Sequence, residues 1–523
     1  MNTTLFRSFR GFRLPRPDSR NHEGAPAYAL SDEQALAQIA ATGCFNGTFY
    51  ADGAEQLDDV LALAARLDPA FVARTAVYAR TRGHMKDTPA VLLAALAARE
   101  DEAAGRALEQ AFPLVVDSGR MLRGFVQAVR SGVTGRRSLG SRPKRLVRAW
   151  LADRSGAALF RASVGQQPSL ADVIKMVHPR PATPERAALY GYLLGRPHDA
   201  ALLPPVVQAF EAYKADRQQP VPDVPFQMLT ALDLDREAWT AIALQAPWHT
   251  TRMNLRTFAR HGVFESADAT AAVAARLRDP EAVRRARAFP YQLLVAYKTA
   301  SADVPAEVRE ALQDAMEVAT ENVPAVPGGV YVCPDVSGSM QMSVTGYRRG
   351  ATSAVRCVDV AALVAAAFVR RNRLCGVLPF EQRVVPLALN ARDSVMTNAQ
   401  LLASVGGGGT SCSAPLAELN KRRATGRLVV LVSDNESWVD ASGSRGARGT
   451  ALLREWAAFR QRNPEARLVC LDLVPNRTTQ AASRPDILNV GGFSDAVFRT
   501  IAAFAEGDPA SDHWVREIDR VEL

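Results

Sequence analysis

The stretch GGVYVCPDVSGSM, residues 328–340, decides the fold class of the C-terminal part of this chain. Its first half, GGVYVC, is a short apolar run of the kind that forms a strand buried on both faces. Asp335, Ser337 and Ser339 follow directly and alternate along an extended turn, so that three oxygen-bearing side chains can converge on one point. Oxygen ligands suit a hard cation. The stretch therefore predicts a cation site at the carboxyl end of a strand.

Two later segments offer further ligands for the same site. Thr410 follows four glycines in GGGGTS, residues 406–411, where the backbone can approach a neighbour closely. Asp434 ends the apolar run RLVVLV in RLVVLVSDNES. A set of oxygen ligands without thiol or imidazole favours Mg²⁺ or a similar divalent ion over zinc or copper. Alone, the D-x-S-x-S pattern is usually a solvated turn; the two later segments favour the metal site.

These five residues resemble the metal-ion-dependent adhesion site of a von Willebrand factor A domain. The resemblance implies that the three hydroxyls bind the ion directly and that the two aspartates bind it largely through water. It also implies that the ion is kept to capture the carboxylate of a partner. The predicted ligands are Asp335, Ser337, Ser339, Thr410 and Asp434.

Strands and helices alternate in the C-terminal part of the chain. The apolar runs GGVYVC, LCGVLPF, RLVVLV and ARLVCLDLV suit buried strands, and VDVAALVAAAFVRR and TALLREWAAFRQR suit crossover helices between them. This order predicts an α/β doubly wound, mainly parallel sheet over about 326–505. Ligands of such sheets bind beyond the carboxyl ends of the strands, where Asp335 and Asp434 lie.

The preceding part, from about residue 30 to 323, has a different pattern. Apolar residues recur at spacings of three and four, with breaks at Pro, Gly, Asp and Ser. SDEQALAQIA opens one helix with a capping box between Ser31 and Gln34. Roughly fifteen short helices without a long heptad repeat predict stacked helix pairs, an α-solenoid, rather than a coiled coil.

The positive charge is concentrated in one window. The formal net charge is +9, and residues 120–180 alone hold thirteen Lys and Arg against two acidic residues. Such a window favours a polyanion as partner, most commonly RNA or DNA. The alternative is a solvated arginine-rich helix face, since 57 of the 63 basic residues are arginine. The candidate RNA-binding residues are Arg136, Arg137, Arg142, Lys144, Arg145, Arg148, Lys175, His178 and Arg180.

Composition indicates a globular protein of at least two domains, with 523 residues and 48% hydrophobic residues. The opening residues are arginine-rich and lack the apolar run of a signal peptide, and no apolar stretch is long enough to span a bilayer. We therefore expect a cytoplasmic protein without membrane contact. Six cysteines without a CxxC pair are expected to be reduced core residues: Cys44, Cys333, Cys357, Cys375, Cys412 and Cys470.

Three segments of the helical part carry a family resemblance. NHEGAPAYALSDEQALAQIAATGCFNGTFY from residue 21, MNLRTFARHGVF at 253–264 and RARAFPYQLLVAYKTA at 285–300 closely resemble the signature stretches of the TROVE module. A TROVE module joined to a von Willebrand A domain defines the Ro ribonucleoprotein autoantigen family, and the chain resembles a bacterial member. The domains implied are a TROVE domain at 1–325, the A domain at 326–505 and a C-terminal tail at 506–523.

The resemblance implies a monomeric all-α ring of HEAT-like repeats closed by the A domain. It further implies that Y RNA binds the outer basic surface and that single-stranded ends of misfolded RNA enter the central hole. Implied partners include an exoribonuclease such as polynucleotide phosphorylase. A family histidine associated with Y RNA contact falls on or near Leu170, which puts individual contacts in doubt. His178, next to Pro179, is either an RNA contact or a helix-end residue with a structural role.

Other chemical motifs are missing from the sequence. GGGGTSCS lacks the Lys of a P-loop, the seven histidines form no HExxH pair, and no nucleophile elbow is present. We therefore expect a binding protein rather than an enzyme. Two alternatives stay open: a metal-dependent protein-interaction subunit unrelated to RNA, and a metal-assisted nuclease that acts alone.

Overall fold

The computed structural model of the chain describes residues 14–42, 45, 52–286, 288, 290–300, 302–321, 323–347, 355–437, 449–474, 476–492, 495–507 and 513–523. These residues form two compact units that interleave along the chain. One unit takes residues from 1–57, 287–298 and 313–517, and the other from 58–286, 299–312 and 518–523. The domain boundaries at 325/326 and 505/506 remain predictions.

Helices dominate the chain up to residue 319, as the sequence predicts. Only a short hairpin precedes them in the described residues, formed by β1 (Ser19–Arg20) and β2 (Pro26–Ala29). The helices are α1 (Asp32–Thr42), α2 (Gly53–Arg66), α3 (Pro69–Thr81), α4 (Asp87–Ala98), α5 (Glu102–Val115), α6 (Gly119–Arg130), α7 (Ser141–Asp153), α8 (Gly156–Ala162), α9 (Leu170–Val177), α10 (Pro184–Leu193), α11 (Pro205–Ala215), α12 (Phe226–Leu229), α13 (Arg236–Gln245), α14 (Trp248–Arg260), α15 (Ala267–Arg278), α16 (Pro280–Ala286), α17 (Pro290–Thr299) and α18 (Ala306–Ala319).

Side-chain caps mark where many of these helices begin. The predicted capping box is present at α1, where the Ser31 N–H donates to Gln34 Oε1 over 3.1 Å and the Gln34 N–H donates to Ser31 Oγ over 3.2 Å. A second capping box, between Ser169 and Asp172, opens α9. Each box satisfies backbone donors that the first turn would otherwise leave unpaired. The starts of these two helices are therefore encoded locally.

The helices pack as stacked pairs. Helix α3 lies against α4 and α5, α4 lies against α5 and α6, and the pattern returns at α13, α14 and α15. Tyr213, Trp239 and Phe258 form the centre of one cluster that buries the apolar faces of the later helices. Contacts to the next helix and the next but one are the pattern of an α-solenoid. The predicted helical unit is confirmed.

The other unit is centred on the predicted parallel sheet. Its elements are β3 (Val330–Pro334), α19 (Cys357–Arg371), β4 (Cys375–Val377), α20 (Val395–Leu402), α21 (Ala414–Lys421), β5 (Leu428–Ser433), α22 (Ala451–Arg462), β6 (Arg467–Asp472), β7 (Thr478–Thr479), β8 (Ile487–Gly491), α23 (Asp495–Glu506) and α24 (His513–Asp519). The five strands of the sheet run parallel in the order β4-β3-β5-β6-β8. The α/β class predicted for this region is confirmed.

Strand order places a topological switch point at β3. The chain passes from β3 outward to β4 and returns on the other side of β3 to form β5. All six residues of β5 are buried, and α19 buries every residue from Cys357 to Val369. Both features are typical of a sheet covered on both faces. The crevice between the carboxyl ends of β3 and β5 is the place where such folds bind ligands.

The sequence reading missed three short strands and one edge strand. Strands β1, β2 and β7 form a small antiparallel sheet, and β8 adds a fifth strand to the main sheet.

Five of the six cysteines are free, and four of these five are buried; Cys44 lies outside the described residues. Among the residues that the structure describes, no helix has the length and apolar character needed to cross a membrane.

Candidate metal centre and nucleic-acid interface

The predicted ligands after β3 lie in one tight turn. Asp335 and Ser337 are fully buried, and Asp335 Oδ1 accepts a hydrogen bond from the Ser337 N–H over 2.9 Å. The hydroxyl oxygens of Ser337 and Ser339 are 3.3 Å apart. On the neighbouring strand, Ser433 Oγ donates to Asp335 Oδ2 over 2.6 Å. The turn therefore holds all three predicted ligands, and the hydroxyls of Ser337 and Ser339 lie within hydrogen-bond distance of each other.

The glycine loop lies directly against this turn. The Gly407 N–H donates to the Val336 carbonyl, and the Gly338 N–H donates to the Gly408 carbonyl, each over 2.8 Å. Gly406 has φ of +88°, and a Cβ there would lie 2.3 Å from the Val336 carbonyl oxygen, so a side chain would push the loop away. Thr410, directly after this loop, is 2% exposed.

Asp434 completes the predicted set at the end of β5. Asp434 is fully buried. Burial raises the pKa of Asp335, and the nearby charge of Asp434 raises it further. Burial and then Asp434 raise the pKa of Glu436 to about 8, and burial raises the pKa of Asp472 to about 8, with Asp434 again contributing. Asp434 thus opposes the ionisation of three other carboxyl groups at this edge of the sheet.

This arrangement fits a hard divalent cation. Buried like-charged carboxyls oppose each other's ionisation, and a cation between them removes that penalty. Glu436 Oε1 is buried and has no hydrogen-bond partner. The described residues contain no group of three or more His, Cys, Asp or Glu side chains arranged as a metal site, so a bound ion would depend on hydroxyl oxygens as well. The five-residue ligand set and the identity of the ion remain predictions.

The predicted RNA-binding residues lie on adjoining parts of the helical unit. Helix α7 packs against α9, and Arg148 Nε of α7 donates to the Val177 carbonyl at the end of α9. This contact brings the two basic segments, 136–148 and 172–180, to one place. We call their exposed surface the α7–α9 face. Sequence alone placed these segments 24 residues apart without showing that they meet.

Two arginines of the α7–α9 face are held by acidic residues of α5. Arg142 Nε lies 3.0 Å from Glu109 and its NH2 group lies 3.0 Å from Glu102. Arg145 forms an ion pair with the same Glu109 carboxylate. The guanidinium of Arg142 also covers Gly105, where a Cβ would overlap it. These two cations are partly neutralised within the protein itself.

The other candidates differ in accessibility. Arg137, Lys175 and Arg180 are exposed, whereas Arg136 is half-buried and donates to the Ala97 carbonyl. His178 is exposed and ends α9 in the left-handed conformation with φ of 49°, which is the helix-end role considered for it. Elsewhere on α9, Leu170 is fully buried and cannot contact a ligand from its position. The assignment of each candidate to RNA contact stays a prediction.

A second basic cluster, around Lys86, was not predicted from the sequence. Burial, followed by the charges of Arg120 and Arg80, lowers the pKa of Lys86, and Arg252 of α14 also contributes. Lys86 is exposed at the surface, and neighbouring protein atoms remove part of the solvent around its ammonium group. Burial also lowers the pKa of Arg123, with Arg120 adding to the effect. The cluster joins helices α3, α4, α6 and α14, so only the packing of the helices reveals it.

Known proteins resemble the chain in both of its parts. Residues 330–505 match the family profile described as the Ro60 vWA domain. The chain is 26% identical to the RNA-binding protein RO60 of Deinococcus radiodurans over 95% of its own length and 97% of that protein. The crystal structure of the Deinococcus radiodurans RO (RSR) protein superimposes with a TM-score of 0.62 at 23% identity, covering 91% of this chain and all of that one. The latter likeness shows a shared fold.

Proposed function

Because this chain belongs to the Ro family, we propose that it is an RNA-binding protein that takes Y RNA and the single-stranded ends of misfolded or decaying RNA. In this proposal it acts in the cytoplasm as a monomeric scaffold of RNA quality control and works beside an exoribonuclease such as polynucleotide phosphorylase. The closed ring of the family, with a central hole, is part of the proposal. Its role is binding, not catalysis.

One observation carries this proposal: two helices with exposed cations, α7 and α9, lie side by side in a chain that aligns with an RNA-binding protein over nearly its whole length. Adjacent cations on neighbouring helices can follow a phosphate backbone, and this electrostatic attraction supplies most of the affinity for nucleic acid. Exposed Lys175, Arg137 and Arg180 provide charges that no ion pair engages among the described residues.

The cluster around Lys86 supports a second place for RNA. Cations that lower one another's pKa are held together against their repulsion, and a polyanion relieves that repulsion. Arg80 is neutralised by Asp117 through a two-nitrogen ion pair, but Lys86 has no ion pair among the described residues. We assign this cluster to the single-stranded end of an RNA, since cations that lie together can follow the phosphate backbone of a single strand.

The A domain gives the protein a second function in the same proposal. Asp335, Ser337, Ser339, Thr410 and Asp434 would hold Mg²⁺ or a similar divalent cation, and a bound ion would offer positive charge to the carboxylate of a partner protein. The specific observation is the convergence of the DxSxS turn, the glycine loop and the end of β5. A protein-interaction subunit unrelated to RNA is the alternative, and nuclease-resistant RNA that copurifies with the chain would exclude it.

A gel-shift titration with two versions of one RNA tests the proposal. The RNA carries either a free single-stranded tail or the same tail paired to a complementary strand. The tailed RNA is expected to bind more tightly, because a duplex cannot pass side chains that admit a single strand. Saturating Y RNA should compete if the two surfaces overlap. Equal affinities for both versions would contradict entry of a single-stranded end.

A further inference from the structure

A row of cations crosses the amino-terminal edge of the main sheet, opposite the candidate metal centre. It is formed by residues 371–374, 421–427, 460–467 and 484–486, which precede or open strands β4, β5, β6 and β8. These segments hold ten Lys and Arg against two acidic residues. We call this surface the amino-edge strip. The sequence analysis did not single it out, because its parts are dispersed over more than a hundred residues.

Parallel strands bring these segments next to one another. Arg427 precedes β5 and Arg467 opens β6, and the Arg467 N–H donates to the Arg427 carbonyl over 2.9 Å. Neighbouring strands lie about 4.8 Å apart, so successive segments present cations in a row. Burial lowers the pKa of Arg467, and nearby Arg427 and Arg460 lower it further against the opposing effect of Glu465.

Asp486, one of the two acidic residues of the strip, is already engaged by other side chains of the protein. Asp486 accepts a hydrogen bond from Trp456 Nε1 over 2.8 Å and forms ion pairs with Arg460 and Arg484, each over 3.0 Å. Arg460, Arg484 and Asp486 line a cavity of about 450 Å³ together with Arg467. Glu465 also lines the cavity, so two carboxylates face three arginines and the lining carries a net positive charge.

Other cations of the strip point to a ligand outside the protein. Arg373, Lys421, Arg423 and Arg427 are exposed and form no ion pair within the part of the chain that the structure describes. Like charges held in a row repel one another, and they lose that repulsion when an extended anion binds along them. An arginine also offers two parallel N–H groups to one phosphate.

We propose that the amino-edge strip is a second RNA-binding surface, on which the phosphates of a single-stranded RNA segment run across the amino-terminal ends of β4 and β5, where the unpaired cations lie. The inference rests on the proposed function, because it assigns RNA as the polyanion. An extended partner fits better than a free phosphate, since the unpaired cations are spread over two separate segments, 371–374 and 421–427, rather than gathered around one point. The A domain would then contact RNA at one edge and a partner protein at the other.

Charge reversal at two exposed positions tests the strip. The variant Arg423→Glu/Arg427→Glu is compared with Arg16→Glu/Arg383→Glu, in which two exposed arginines outside the strip undergo the same change. The probe is a fluorescein-labelled single-stranded uridine 20-mer, titrated between 50 and 300 mM salt. The strip variant should bind several-fold more weakly, and its salt slope should fall by about 1.4, about 0.7 for each of two lost phosphate contacts. The control variant should behave as the unchanged protein.

Three results would overturn the inference or place the failure elsewhere. Equal salt slopes for the strip variant and the control variant would remove the strip from RNA binding while leaving the proposed function intact. Loss of binding to labelled polyglutamate with retained binding to the uridine 20-mer would reassign the strip to acidic proteins. Absence of RNA binding by the unchanged protein would refute the proposed function as well. Crosslinking of 4-thiouridine RNA to the peptide 421–427, with folding verified by thermal melting, supports the proposal independently.

Discussion

Replacing Arg142, Lys144, Arg145 and Arg148 together by alanine should weaken RNA binding and flatten its salt dependence. Each contact with a phosphate of a single strand contributes about 0.7 to the slope of log affinity against log salt. Glu109 already forms ion pairs with Arg142 and Arg145. We therefore expect at least two phosphate contacts, from Lys144 and Arg148. The slope should therefore fall by at least about 1.4, and by about 2.8 if all four residues contact phosphates.

The consequence is measurable over an ordinary salt range. One phosphate contact makes the affinity fall by about 2.6-fold when salt rises fourfold, from 50 to 200 mM, because its slope is about 0.7. Each contact that the variant loses removes one such factor from the measured fall in affinity. Fluorescence anisotropy at five salt concentrations resolves such a difference. Folding should change little, since ion pairs exposed to solvent typically contribute about 0.2–1 kcal/mol each. An unchanged slope in the variant would place the RNA on another surface.

A matched control exists on the same helical unit. Arg196, Lys214, Arg217 and Arg236 are exposed, and two of them form ion pairs, Lys214 with Glu211 and Arg236 with Glu265. Their replacement by alanine removes the same charge and a similar number of ion pairs at a different place. If both fourfold variants weaken RNA binding equally, the effect comes from net charge and not from the α7–α9 face.

Three further outcomes are expected. Glu109→Gln should raise RNA affinity about 2–3-fold at low salt, because it releases cations of α7 for phosphate; weaker binding in the same anisotropy assay would contradict this. Asp335→Ala should abolish divalent-ion binding in calorimetry yet leave RNA affinity unchanged, and a loss of both would refute the separation of the two sites. Asp359→Asn should lower the free energy of unfolding by about 3 kcal/mol, because it leaves Lys298 and Arg356 without their buried partner. Burial opposes ionisation of Asp359, but its hydrogen bonds outweigh this effect and lower its pKa. The stabilisation should therefore be present above the unfolded pKa and be lost as pH falls through the folded pKa. Equal loss of stability at acidic pH in the variant and the parent would contradict this.

Much of the A domain could be predicted because its signals are local. The apolar runs of β3, β5 and β6 are continuous, and Asp335 and Asp434 directly follow two of them. Parallel strands that end at one edge must then bring these aspartates together. Strand β7 and the first hairpin were missed because they contain only two to four residues, too few for a period-two pattern to be recognised.

The basic surfaces could be predicted only in part. A window of charge along the sequence revealed α7 and α9, but the pairing of Arg142 with Glu102 crosses forty residues and depends on how α5 packs against α7. Lys86 meets Arg252 only through helices that are far apart in sequence. Composition measures the number of charges. It does not measure which of them the protein neutralises itself.

Sequencing of the RNA crosslinked to this protein in its own cell tests the central claim most directly. The protein should carry structured noncoding RNA with single-stranded ends, and crosslinked peptides should include residues 136–148 or 172–180. The variant with four alanines on α7 should recover markedly less RNA than the fourfold control variant. RNA recovered from the protein at no more than the background of an uncrosslinked sample would contradict an RNA-binding function.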